Sequence, residues 1–135
     1  MGKGDQAGGG ERGRVSAYRH TLSVRITHWL NVLFLTAMLG SGLQIFNAHP
    51  ALYWGSRSDP GSAWLVMEAT RTADGELRGR TRVFGATFDT TGVLGVSGER
   101  QARGFPGWAT IPSHQWLAMG RRWHFFFAWL FVLNA

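Results

Sequence analysis

Cysteine is absent from the 135 residues, which excludes a disulfide scaffold, a zinc ribbon, an iron–sulfur cluster and the covalent attachment of c-type haem. The length allows one ordinary domain at most. Proline is scarce: Pro50, Pro60, Pro106 and Pro112 all lie in the middle of the chain. Charge is missing from two windows, the 31 residues 26–56 and the 13 residues 123–135, although 14 basic and 8 acidic residues occur elsewhere. The mean hydropathy of -0.09 averages over this segregation and hides it. Soluble domains rarely leave so long a stretch uncharged, so the first window sets the class.

Residues 26–46 read ITHWLNVLFLTAMLGSGLQIF, without proline or formal charge. As a helix rising about 1.5 Å per residue, this run is about 31 Å long and matches a hydrocarbon core of roughly 30 Å. Trp29 and Trp54 stand near its two ends, where amphipathic rings favour the headgroup level. A buried helix of a soluble core is usually shorter and carries a polar stripe. A cleaved signal peptide has a shorter apolar run and a small-residue cleavage site, for which Asn47, Ala48 and His49 are poor candidates. The run is therefore assigned as a true span.

Lys3, Arg12, Arg14, Arg19 and Arg25 precede the span, against Asp5 and Glu11, and predict a cytoplasmic N-terminus. Residues 47–122 carry nine arginines, but a segment longer than about 60 residues largely escapes the charge rule and is placed outside. Residues 123–135, WHFFFAWLFVLNA, cover only about 20 Å as a helix, too short to cross. They read as the start of a second span, and the chain as an N-terminal fragment. The expected architecture is thus an all-α membrane protein: one full span (26–46), an external loop (47–122), and a truncated span (123–135) of a four-helix transmembrane bundle. Residues 1–17 are Gly-rich and predict a disordered cytoplasmic tail. Turn signals stand at Asp59–Gly61, Ala73–Gly75 and Phe105–Gly107. Ser62 could cap a short helix bearing Trp64, Leu65 and Met67. Residues 81–87 favour a strand, and Ser113 could open a helix through Trp116 and Met119. An external excursion of this length is compatible with a docking surface.

Of the five histidines, His28 and His124 lie within the uncharged runs. An ionisable residue inside a span is costly and usually has a partner, an aqueous path or a metal; an interfacial histidine can also simply bond water or lipid. The two spans run in opposite directions. His28 therefore falls near the cytoplasmic face and His124 near the external one, on the order of 25 Å apart. Two axial ligands of one iron each sit about 2 Å from it, so one haem cannot use both. If both ligate, there are two haems, each needing a further ligand; His49 is a weak candidate for the outer one. Gly40, Ser41 and Gly42 make the first span slim enough for a close helix or a flat macrocycle. Arg25 precedes His28 by three residues, and Arg121 and Arg122 immediately precede His124. These arginines could pair with haem propionates or snorkel to lipid phosphates.

The segment from Tyr18 to Asn31, with its Arg-x-x-His-Trp pattern at Arg25–Trp29, resembles the opening of the bacterial di-haem membrane cytochromes b. That family includes the b-type subunits of nickel–iron hydrogenases, formate dehydrogenase gamma subunits and thiosulfate reductase cytochrome b subunits. Residues 120–129, GRRWHFFFAW, resemble the start of its second helix. The resemblance implies four core helices and a cytoplasmic N-terminus. It implies His28 as a ligand of the cytoplasmic-side haem b and His124 of the periplasmic-side haem b, with the partner ligands on a fourth helix. The long outer segment looks like the subgroup that accompanies periplasmic molybdopterin oxidoreductases.

Together these features predict an inner-membrane electron-transfer subunit. Its partners would be a periplasmic oxidoreductase of molybdopterin or hydrogenase type, the quinone pool and the lipid bilayer. No acid–base or nucleophilic constellation is visible, and the catalytic chemistry is assigned to the partner. The alternative is a haem-free membrane anchor or assembly subunit. Nucleic-acid binding is rejected despite a pI of about 11.3, because the arginines are scattered and form no patch.

Overall fold

The computed structural model describes residues 21–98 and 100–134; the expected tail 1–17 lies outside the described residues. Helix α1 spans Leu22–Phe46. It starts four residues before the expected span and ends where that span ends. Asn47 adds a last helical turn through its N–H to the Leu43 carbonyl, 3.0 Å, and Pro50 three residues on forbids continuation. Helix α2 spans Leu117–Asn134, beginning six residues before the uncharged run, so that Arg121 and Arg122 ride on its first turns. Ser113 does not open it. At 1.5 Å per residue α2 is about 27 Å long. Among the described residues, α1 is the one helix both long and apolar enough to cross a bilayer.

The all-α expectation is overturned between the helices. Residues 47–116 hold six strands: β1 Ala51–Tyr53, β2 Ala63–Arg71, β3 Leu77–Val83, β4 Ala86–Asp89, β5 Gly95–Ser97 and β6 Gln101–Arg103. The first four form one antiparallel sheet in sequence order, and β5 and β6 pair as a second. The physical cause is an alternation hidden by arginine. Along β3, Arg78 and Arg80 are exposed while Gly79 and Thr81 are buried, the period of two that a strand imposes. The segment is therefore a folded β module and not an open loop.

The expected short helix at Ser62 is likewise corrected. Asp59 accepts from the Gly61 N–H at 3.0 Å and caps a single 3-10 turn, Pro60–Ser62. Trp64, Leu65 and Met67 then belong to β2, held on one side by β1 and on the other by β3. The expected strand 81–87 is strand at residues 81–83 and 86–87, in β3 and β4, with a hairpin bend between them. Val83 pairs with Ala86 across Phe84 and Gly85, whose φ values are 47° and 87°. Two positive values in a two-residue loop are the type I′ geometry that matches strand twist. Phe84 lies stacked on Trp64, with ring centroids 5.3 Å apart. The Ala73–Gly75 signal is the β2–β3 turn, closed by Thr72 N–H to Glu76 O at 2.8 Å.

The module sits on the C-terminal end of α1 through polar contacts. Asn47 Oδ1 accepts from the Phe105 N–H at 2.6 Å, Gln44 Nε2 donates to His114 O at 3.0 Å, and Ile111 N–H donates to Gly40 O at 3.1 Å. The two helices pack antiparallel. Gln44 faces Gly120 at one end, Phe34 meets Phe127 midway at 6.1 Å, and Asn31 faces Asn134 at the other. A Cβ on Gly120 would lie 2.8 Å from Gln44 Cγ, so glycine there sets the close approach. Asn134 Nδ2 donates to Asn31 Oδ1 at 2.8 Å and to Thr27 O at 3.1 Å. Asn134→Leu is expected to weaken helix pairing by about 0.6–2 kcal/mol, read as a lower midpoint of denaturant unfolding in detergent.

Candidate cofactor site between helices and sheet

His124 is half-buried against α1. Its Nδ1 lies 3.1 Å from the Met38 carbonyl oxygen and 3.2 Å from Ser41 Oγ. A carbonyl only accepts, so Nδ1 carries the proton and donates to it. The Ser41 hydroxyl is itself turned toward the Ala37 and Met38 carbonyls, at 2.8 and 3.1 Å, and is wholly buried. Nε2 is left with its lone pair and no hydrogen bond among the described residues. An imidazole held through one nitrogen by a backbone carbonyl, with the other basic, is the usual state of a metal-ligating histidine.

The same ring borders an apolar cleft of about 600 Å³, with Leu35, Leu39 and Gly42 on its α1 side and Leu52, Leu65 and Phe105 from the β module. The sheet thus roofs a groove that starts between the helices. Its walls supply no charge, and His124 is the titratable group at its edge. Such a cleft suits a large flat apolar group anchored by one nitrogen ligand. Among the described residues, no three of His, Cys, Asp and Glu gather as a chelating site for a free metal ion.

Comparison with protein-family models, curated proteins and solved structures finds no match to this chain. Its site must stand on geometry.

His28 lies on α1, exposed, with its ring edge-on to Trp29 at 5.9 Å. It does not meet His124. His28, Leu35 and Gly42 recur every seventh residue and share one helix face, the face that bears the cleft. Gly42 lies about 21 Å along the helix from His28. Neither arginine of the expected site touches a histidine. Arg25 is exposed beside Trp29 and Leu22 on the flank of α1. Arg122 is exposed and, two residues from His124, points about 160° away around α2; Arg121, three residues away, is nearer that face.

Sequence reading missed two contributors. The Met38 carbonyl carries no side-chain signal at all. Ser41 is visible only as a small residue, and only the packed helix pair gives its hydroxyl a partner. The trio Gly40–Gly42 serves three neighbours at once: Gly40 admits Ile111, to which a Cβ would lie 2.9 Å, Ser41 faces His124, and Gly42 opens on the cleft.

Proposed function

We propose that this chain is a membrane electron-transfer subunit holding b-type haem, passing electrons between an oxidoreductase outside the cell membrane and the quinone pool. His124 carries this reading: an anchored imidazole with a basic Nε2, beside an apolar cleft wide enough for a macrocycle. The distribution of polarity along the helices supports a bilayer setting. Asn31, Ser41 and Gln44 face inward, while Leu30, Leu33, Phe126 and Trp129 are exposed, the reverse of a water-facing pair.

When bound, haem supplies one-electron redox chemistry. The chain's residues hold and tune it. His124 Nε2 would provide one ligand of an outer haem, its ring oriented by the Met38 carbonyl, and Leu35, Leu39 and Phe105 would line the haem's apolar surroundings. His28, on the same helix face, would provide a ligand of an inner haem. His49 Nε2 is engaged with the Tyr53 hydroxyl at 2.9 Å, so it would not join His124 at the outer haem.

The test is a dithionite-reduced minus oxidised spectrum with haem quantitation on the complete purified protein. Two b-type haems per chain are expected. A folded preparation without haem leaves a membrane anchor or assembly subunit instead.

A further inference from the structure

On the side of α1 away from the haem cleft lies a second recess, of about 560 Å³, lined by Arg103, Gln101, Trp108, Ser113 and His114 together with glycines of the β5–β6 region. Gln44, at its helix end, is about 160° around α1 from Gly42, so the two recesses are on opposite flanks. Arg103 is only 7% exposed, which is rare for an arginine without a carboxylate partner. Its hydrogen bonds all go to neutral acceptors: the Ser113 carbonyl at 2.8 Å, Thr110 Oγ1 at 2.9 Å and Gln44 Oε1 at 3.3 Å. Its Nε is buried and lacks an acceptor among the described residues. Both ion pairs among the described residues lie elsewhere, at Arg78–Asp89 and Arg100–Glu76. Burial presses the Arg103 pKa below its ordinary value, yet a guanidinium stays charged.

The recess is therefore a donor-rich cavity built on a buried cation that has no carboxylate partner among the described residues. Gln101 and His114 add side-chain donors, Trp108, 86% exposed, adds an indole, and no described Asp or Glu lines it. We propose that this recess binds a phosphate-type oxyanion, with Arg103 supplying the charge and Gln101, Trp108 and His114 closing around it. Two sources carry that chemistry, soluble phosphate and the phosphodiester of a lipid headgroup. The lipid source rests on the membrane reading above. Gln44 and Gly120 mark the outer end of both helices, and the exposed indoles of Trp108 and Trp116 stand where headgroups would be. The oxyanion site itself does not depend on haem.

The test uses the complete protein in neutral detergent and in nanodiscs. Inorganic phosphate, titrated at constant ionic strength against chloride, is expected to raise the unfolding midpoint by several degrees at about 100 times Kd. Arg103→Gln abolishes that shift. Because Arg103 also braces Gln44 and Thr110, Gln101→Ala and Trp108→Ala serve as variants of exposed residues, each expected to weaken binding 3- to 10-fold with the unfolding midpoint in chloride unchanged. If free phosphate gives no shift but phosphatidylglycerol, and not phosphatidylcholine, stays bound to the wild type and is lost from Arg103→Gln, the site takes a lipid headgroup. If folded wild type responds to neither, or Gln101→Ala and Trp108→Ala bind as wild type does, the proposal is overturned. The haem spectrum of the same samples separates the two ideas: haem without oxyanion binding leaves the electron-transfer reading standing alone, and oxyanion binding without haem does the converse.

Discussion

His124→Ala in the complete protein is expected to remove the outer haem entirely and leave the inner one, halving the haem content per chain. No other described residue can take over, because the position between Met38 and the cleft is reached from α2 at that one site. His28→Ala should remove the inner haem and spare the outer. Ser41→Ala is the graded control. It deletes one of two groups at Nδ1 and keeps the Met38 carbonyl, so both haems stay bound, with affinity for the outer one lowered by about tenfold or less. Pyridine haemochrome assay and low-temperature difference spectra resolve all three. Equal loss of both haems in each histidine variant would point to collapse of the helix pair, and full retention in both to ligands elsewhere.

Gly79→Val should unfold the β module, at a cost of about 3 kcal/mol or more, against a typical domain stability of about 5–15 kcal/mol. A Cβ on Gly79 would run into the Leu94 carbonyl oxygen and stand 2.9 Å from the Val96 nitrogen. Both are backbone atoms, and neither can rotate aside. The two sheets would have to part there, giving up Thr90 N–H to Gly79 O at 2.8 Å and Gly79 N–H to Thr91 Oγ1 at 3.0 Å. Gly75→Asn is the matched control: its φ of 81° suits asparagine, and nothing lies within 4 Å of the added Cβ. Limited proteolysis between residues 50 and 115 distinguishes the two, with rapid cleavage expected only for Gly79→Val. As the cleft is roofed by Leu52 and Leu65, the same variant should also loosen the outer haem.

The helices were legible because their signals are local. Absence of charge over residues 26–56 and a proline-free run are properties of consecutive residues, and α1 ends at Phe46, where the assigned span ends and four residues before Pro50. The turn signals at Asp59–Gly61 and Ala73–Gly75 also marked real chain reversals. Beyond residues 81–87 the strands were not legible, because arginine on every second position of β3 looks like a solvated loop until β2 and β4 flank it. Ser62 was misread for a related reason. A serine before Trp64, Leu65 and Met67 satisfies a helix-cap pattern, and only pairing with two neighbouring strands commits those residues to extended backbone.

By itself the sequence determined where the apolar helix lies, which two histidines fall within the uncharged runs, and that these stand far apart along the helix axes. Each follows from spacing along one chain segment. Only the tertiary structure decided that His124 is held by Met38 and Ser41, that a sheet roofs the cleft beside it, and that Arg103 is buried with no carboxylate partner among the described residues. The reason is that a hydrogen-bond partner 86 residues away, a backbone passing within a glycine's width and a buried charge are all products of non-local packing, which no local pattern encodes.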